Sequence, residues 1–359
     1  MKMMSTFRLN GTPHNPGSLK QFCQGQLDAG ELPDWKRELY SFILDWLDPS
    51  VRVLEHLTSG TTGPPRKITL FRESMIRSAE NTRSYFELTP GTPVLLCLPV
   101  RYIAGKMMVV RALTGGLDLV MVEPSGRPLQ GLAHRVAFAA MVPLQVYNSL
   151  AGGKGLSLVG KLLIGGGEIH PSLRERLTGL NTPELYESFG MTETYTHVAL
   201  RRINGSDPDP LFTPLNGVSL GQDERGCLVV EAEGVTRGPV VTNDLVELVP
   251  ERNGFRWLGR ADHLISTGGI KVIPEVLEER ISKRLGLECL VLSESDAQLG
   301  QRLVLLVEYP DPNPPLDQWH AALKMVLNAH EMPKKIRTVA RIPRNASFKP
   351  DRSAARQML

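Results

Sequence analysis

Residues 35–48, from Trp35 to Asp48, place apolar side chains at helical spacing and predict an amphipathic helix. A short β-type run follows from Val51 to Leu57. It meets a Gly/Thr-rich turn at Thr58 to Gly63 and a second short strand from Lys67 to Phe71. The unbroken apolar run Val94-Leu95-Leu96-Cys97-Leu98 predicts a buried strand that stops at Pro99. Residues 117–122 and 161–164 repeat that pattern, the latter running into Gly165-Gly166-Gly167. Short apolar strands alternating with helical segments indicate an α/β fold with mainly parallel sheets.

From about residue 210 the texture changes. Gly, Pro and β-branched residues dominate, with turn signals at Asp223-Glu224-Arg225-Gly226 and Arg252-Asn253-Gly254, which predicts a β-rich subdomain. A second change comes at Gly259-Arg260-Ala261-Asp262. Beyond it the pattern predicts a helix over about 275–285, strands over 288–293 and 302–308, and a helix over 316–330, the content of a small α+β domain. The expected division is therefore a large α/β domain over 1–261 and a small mobile domain over 262–359.

Composition narrows the function classes. A chain of 359 residues suits two unequal domains. Net charge is only +3 and the basic residues are dispersed, so nucleic acid is not an expected partner. The four cysteines, Cys23, Cys97, Cys227 and Cys289, form no C-x-x-C pair, which argues against a metal cage or disulfide framework and fits a reducing cytoplasm. The start Met1-Lys2-Met3-Met4-Ser5-Thr6 is followed by no signal-peptide-like apolar run, and no stretch approaches the apolar length of a membrane span.

The strongest local chemical signal is Thr58-Ser59-Gly60-Thr61-Thr62-Gly63-Pro64-Pro65-Arg66. Glycines let backbone approach an anion, successive N–H groups and hydroxyls can bond phosphate oxygens, and Arg66 adds a forked donor. No G-x-x-x-x-G-K-[ST] is present, so this is not a Walker A loop. Taken alone, such a string is as readily a solvated turn.

The string resembles the phosphate-loop signature of the adenylate-forming superfamily, which includes acyl-CoA synthetases, peptide-synthetase adenylation domains and luciferases. Further stretches resemble the family's other motifs in order. Gly165-Gly166-Gly167-Glu168 is similar to the Gly-rich segment beside adenine, and Ser188-Phe189-Gly190-Met191-Thr192-Glu193 to the aromatic-Gly-x-Thr-Glu core, with Phe189 where Tyr is usual. The resemblance implies Phe189 stacked on adenine, Thr192 on the α-phosphate and Glu193 holding Mg²⁺, an ion that prefers oxygen ligands. Thr242-Asn243-Asp244 resembles a Thr-Gly-Asp segment whose Asp binds the ribose, with Asn243 in place of Gly. In Gly259-Arg260-Ala261-Asp262 the resemblance puts Arg260 on ribose or phosphate and makes Asp262 the pivot between domains. It assigns Ser266 to Glu275, with Gly268, Gly269 and Lys271, to the tunnel for the pantetheine of coenzyme A. In Ile342 to Arg352, Lys349 would bridge the attacking carboxylate and the α-phosphate, although Phe348 replaces the usual Gly before it.

The resemblance implies an acid–thiol ligase that uses ATP, Mg²⁺ and coenzyme A. The phosphate loop begins early, at Thr58, and the implied first subdomain is much shortened. That compact form is similar to the o-succinylbenzoate–CoA ligases of menaquinone synthesis, notably the short versions of Bacteroidetes-like bacteria, as are Leu98 to Arg111 and Met191 to Arg202. The small-molecule acid would be an aromatic dicarboxylate, with Tyr102, Gln145, Thr196 and His197 lining its pocket, or else serving core packing or structural hydrogen bonding. Arg201 and Arg202 are expected to be solvated charges. Another acyl- or aryl-CoA ligase, delivery to a carrier-protein thiol and a catalytically weak nucleotide-binding protein stay open, as does oligomeric state, a homodimer included.

Overall fold

The computed structural model describes residues 6–57, 67–152, 155–344 and 350–359. The expected phosphate loop, Thr58 to Arg66, and Lys349 with Phe348 lie outside these residues. The chain forms two compact units: Met1–Gly166, Thr178–Ser219 and Val230–Val240 make the first, and Gly167–Leu177, Leu220–Val229 and Val241–Leu359 the second. Asp262, the expected domain boundary, falls inside the second unit.

The first unit is built on a nine-stranded sheet. Its strand order is Thr213–Pro214, His197–Arg202, Glu184–Gly190, Val159–Ile164, Val136–Met141, Pro93–Leu96, Asp118–Met121, Phe7–Leu9 and Thr12–His14. The interior strands run parallel, and antiparallel pairs close both edges. The apolar runs have the expected cause: Val94, Leu95, Phe138, Ala139, Leu162 and Ile164 are wholly inaccessible, and strands covered on both faces need no polar alternation. Helix Ile103–Gly115 lies in this core, burying Met107, Val109 and Val110. The helix expected over 35–48 is present as Asp34–Leu47, with Leu39, Ile43 and Trp46 inside. Helix Pro16–Asp28 was not anticipated; Asn15 caps it by accepting from the Ser18 N–H at 2.9 Å, and Pro16 opens it.

Strands Val240–Val249 and Gly254–Arg260 form an antiparallel hairpin, the end of a four-stranded sheet that also contains Val218–Gln222 and Cys227–Ala232. A further sheet orders Ile270–Val272, Ile265–Thr267, Gly300–Glu308 and Cys289–Asp296, with Lys335–Val339 parallel to Gly300–Glu308. Helices Pro274–Leu285 and Leu316–Lys324 cover it through Leu277, Ile281, Trp319 and Leu323. The helix expected to reach residue 330 ends at Lys324, because tight turns onto the Leu323 carbonyl return Leu327 to the core. The four cysteines are buried thiols. Among the described residues no helix is long and apolar enough to cross a membrane.

Candidate active site

In the first unit, a short helical turn, Thr192–Thr194, joins the antiparallel strands Glu184–Gly190 and His197–Arg202. Gly190 is dictated by space: a Cβ there would overlap the Thr196 carbonyl oxygen and His197 Cα. Thr194 organises the turn from inside. Its hydroxyl accepts from the Met191 N–H at 3.0 Å and bonds the carbonyl oxygens of Met191 and Thr196. Tyr195 is buried at φ 66° and ψ −40°, a conformation a bulky side chain rarely takes and one that costs about 1–3 kcal/mol. Its phenolic oxygen accepts from the Phe71 N–H at 3.1 Å. The next two residues are also tied down, Thr196 Oγ1 to Ser78 Oγ at 3.0 Å and His197 Nε2 to Thr82 Oγ1 at 3.3 Å. Neither the Thr192 nor the Glu193 side chain has a hydrogen-bond partner among the described residues, and Glu193 is exposed. The turn therefore presents one hydroxyl and one carboxylate on a rigidly held base.

Two neighbours of this turn complete the expected nucleotide residues of the first unit. Ser188 Oγ donates to the Ile164 carbonyl at 3.1 Å, fixing the strand end that leads to Gly166. Phe189 lies 5.8 Å from the ring of Phe212. The guanidinium of Arg201 covers the other ring, 4.4 Å from the Phe212 centroid, and its Nε donates to the buried carboxylate of Glu187 at 2.5 Å. Arg201 is thus not the solvated charge its sequence context suggests. Arg202 is likewise engaged, with Glu184 at 3.5 Å and over the ring of Tyr186 at 5.5 Å. On a paired sheet edge, carboxylates and rings of the neighbouring strand stand directly within reach.

Of the pocket candidates, Gln145 has its amide committed to backbone. Nε2 donates to the carbonyls of Cys97 at 3.2 Å and Ser125 at 2.9 Å, and Oε1 accepts from the Val142 N–H at 3.2 Å. Tyr102 begins helix Ile103–Gly115, is 37% exposed, and has the Arg101 guanidinium 5.2 Å from its ring. His197 is buried. Thr82 Oγ1 spends its proton on the Ser78 carbonyl at 3.1 Å and so accepts from His197, which assigns the Nε2–H tautomer. Burial, and then the charge of Arg111, hold the His197 imidazole well below its ordinary pKa, so it is neutral.

Arg111 is the residue the sequence reading passed over. It lies in helix Ile103–Gly115, only 2% exposed, and its Nε has no hydrogen-bond partner among the described residues. Burial pushes its pKa down to about 9. Among the described residues no carboxylate pairs with it; a buried cation so placed is costly, and a ligand anion is a group that would relieve it. The signal was an arginine inside the apolar run Met107-Met108-Val109-Val110-Arg111-Ala112-Leu113.

The second unit brings together Asp244, Arg260 and Asp262. Asp244 and Arg260 are cross-strand partners. Trp257 Nε1 donates to Asp244 Oδ1 at 3.0 Å, and Arg260 lies 3.9 Å from that same oxygen. Arg260 grips Asp262 with two bonds, Nε to Oδ1 at 2.9 Å and Nη2 to Oδ2 at 3.1 Å. Burial raises the Asp262 pKa, but the guanidinium outweighs it and leaves the carboxyl below its ordinary value. Gly167 and Glu168 also belong to this unit, and the Glu168 carboxylate adds to the field that keeps Arg352 charged. Gly268 and Gly269, at φ 57° and 81°, form the two-residue turn between strands Ile265–Thr267 and Ile270–Val272, where two left-handed residues are required. Lys271 is exposed on the second of these strands.

Among the described residues no group of three or more His, Cys, Asp or Glu forms a metal cage. The unpartnered Glu193 carboxylate instead suits Mg²⁺, which takes one or two protein carboxylates and fills its shell with phosphate oxygens and water.

The profile of the family described as AMP-binding enzyme matches residues 31–238, more than half of the chain. A probable 2-succinylbenzoate–CoA ligase of Mycobacterium tuberculosis is 28% identical over 326 residues, covering 83% of this chain and 82% of that protein. The 2-succinylbenzoate–CoA ligase of Escherichia coli is 24% identical over 317 residues, covering 84% and 68%. A crystal structure of an acyl-CoA synthetase (AMP-forming)/AMP-acid ligase II-like protein from Dyadobacter fermentans is 36% identical, with a TM-score of 0.62 and coverage of 94% of this chain and 98% of that one.

Proposed function

The chain belongs to the AMP-binding enzyme family, and from that membership we propose that it is an ATP-dependent acid–thiol ligase acting on 2-succinylbenzoate. In the first half-reaction a succinyl carboxylate oxygen attacks the α-phosphorus of ATP. A new P–O bond forms, the bond to the β-phosphate bridge breaks, and pyrophosphate leaves. In the second, the coenzyme A sulfur attacks the acyl carbon, the carbon–oxygen bond to AMP breaks, and the thiol proton passes to solvent. No protein nucleophile is needed; the site works by positioning and electrostatics.

The residues divide these tasks. Segment 58–66 holds the β- and γ-phosphates, and Thr192 bonds the α-phosphate. Phe189 stacks on adenine, beside Gly166, Gly167 and Glu168. Asp244 and Arg260 bind the ribose, and Lys349 meets the charge that develops between carboxylate and α-phosphate. Asp262 is the pivot between the half-reactions, and Gly268, Gly269 and Lys271 face the pantetheine. Mg²⁺, held by Glu193, would neutralise phosphate charge.

Arg111 carries the substrate reading. Its buried guanidinium, whose Nε has no hydrogen-bond partner among the described residues, lies close enough to His197 to depress that imidazole, in the unit that holds Thr192 and Glu193. An acid with a second carboxylate supplies the missing anion; a fatty acid or benzoate does not. Tyr102 and Thr196 line the same pocket, while Gln145 shapes it through its backbone bonds. The buried thiols suit a cytoplasmic enzyme.

The test supplies ATP, Mg²⁺ and coenzyme A with 2-succinylbenzoate, benzoate or a fatty acid and looks for thioester by mass. The expected product is 2-succinylbenzoyl-CoA. Thioester from the monocarboxylates with none from 2-succinylbenzoate would overturn the assignment.

A further inference from the structure

The turn that presents Thr192 and Glu193 is fastened along one side to a single continuous stretch. Strand Lys67–Phe71 passes directly into helix Arg72–Phe86, and this stretch is the part of the chain that leaves segment 58–66. Three consecutive residues after the turn bond it at three successive levels: Tyr195 at the end of the strand, Thr196 at Ser78, nearly two turns into the helix, and His197 at Thr82, about one turn further. The helical pair, Ser78 and Thr82, is four residues apart and therefore shares one face.

Tyr195 differs from the other two. It bonds backbone, not a side chain, and it does so from a left-handed conformation that its own side chain disfavours. Such a conformation persists only where the surroundings over-determine it. Here they do: Thr194 closes the turn from within, Tyr195 is buried, and its hydroxyl meets the last N–H of the strand.

We infer that Tyr195 is a positioning residue: its hydroxyl, bonded to the Phe71 N–H, sets the placement of Thr192 and Glu193 relative to the strand that leaves segment 58–66. This rests on the ligase reading, in which those groups act on one triphosphate. Tyr195 is buried and acts through the turn it closes. It keeps a hydroxyl and a carboxylate in register with strand Lys67–Phe71, and small errors of register are expensive in reactions that depend on alignment.

The test is Tyr195→Phe, which keeps the ring and the backbone and removes only the oxygen. ATP–pyrophosphate exchange with 2-succinylbenzoate, thioester formation from preformed acyl-adenylate, and thermal stability are measured side by side. The expected result is a fall of about tenfold or more in kcat for exchange, with KM for the acid unchanged within about twofold and the thiol step nearly intact. A proportional loss in both steps, or no loss in exchange, overturns the role. Should Tyr195→Phe fail to fold, Ser78→Ala, which releases Thr196 alone, must show the same bias toward exchange; its absence overturns the role equally. Wild-type protein that shows no exchange with 2-succinylbenzoate would instead defeat the functional reading, whereas active wild type with unaffected variants defeats only the positioning role.

Discussion

Arg352 Nη2 donates to Glu278 Oε2 at 2.6 Å, and both side chains are largely buried in the second unit. The same guanidinium reaches the Val291 carbonyl at 3.1 Å and Glu275 Oε1 at 3.4 Å. Burial would lower the Arg352 pKa, but the Glu278 and Glu275 carboxylates raise it above its ordinary value. Glu275 Oε1 is also bonded to His263, the neighbour of Asp262. Arg352 therefore anchors the chain immediately after residues 345–349, while an Arg344–Pro350 bridge and the Asp351 N–H to Pro343 carbonyl bond at 2.8 Å join the two flanks of that segment.

Replacing Arg352 with Ala leaves the buried Glu278 carboxylate without its cation. Removal of one member of a buried pair costs about 3–5 kcal/mol. Arg352→Ala should therefore lower unfolding stability by about 3 kcal/mol in urea denaturation, while Arg352→Lys, which keeps the charge and loses the fork, should recover part of it. A loss under about 1 kcal/mol for Arg352→Ala would show the pair to be effectively solvated.

Lys349→Ala tests the C-terminal segment chemically. Loss of one donor to charge that develops in the transition state is worth roughly 10²-fold. Pyrophosphate exchange should fall by about that factor or more, and thioester formation from preformed acyl-adenylate far less. Equal damage to both steps would remove Lys349 from its role.

Much of the fold was legible because buried parallel strands and amphipathic helices leave strong periodic signals. The runs at Val94, residues 117–122 and residues 161–164 all became interior or near-interior strands of the large sheet. The N-terminal hairpin was missed because its strands are only three residues each, too short for a periodic signal, and helix Pro16–Asp28 because it buries little: only Leu19 and Cys23 of it are inside. What announced the helix was its cap, Asn15-Pro16, a stronger local cue there than periodicity. In the site, the Thr192–Glu193 turn was legible as a motif, whereas its supports were not. Tyr195 acts through Phe71, which is 124 positions away, and Arg111 draws its meaning from what is absent around it. Gln145 shows the reverse limit: a polar residue in a pocket-like context whose bonding capacity the backbone takes up.

Imidazoles depressed by burial give the protein a defined acid response. Burial, and then Lys106, bring His56 from its ordinary 6.5 down to about 4. His197 is depressed in the same direction. For a base depressed in the folded state, the unfolded chain takes up the proton first, so stability is fully present above pH 6.5 and is lost as pH falls from there toward 4. Urea denaturation across that window should show falling stability, and His56→Gln should flatten the slope. An unchanged slope would mean that His56 is protonated in the folded protein.

Arg111→Leu separates stability from specificity. In the free protein Arg111 is a desolvated cation whose Nε is unpaired among the described residues, and a shape-filling apolar replacement of buried charge is commonly neutral or stabilising by about 1–4 kcal/mol. The variant should therefore melt at or above the wild-type temperature. If the guanidinium seats the second carboxylate of the acid, the same change removes a charge-assisted bond of about 1.5–3 kcal/mol, which raises KM for 2-succinylbenzoate by roughly tenfold or more. It also leaves that carboxylate in an apolar pocket, which adds to the penalty. Monocarboxylate aryl acids, having no group for Arg111 to meet, should lose nothing and can gain. Opposite movements of melting temperature and of preference for the dicarboxylate would identify a residue retained for recognition. A variant that melts lower and treats both classes of acid alike would make Arg111 a structural residue, and the pocket would then need another cation.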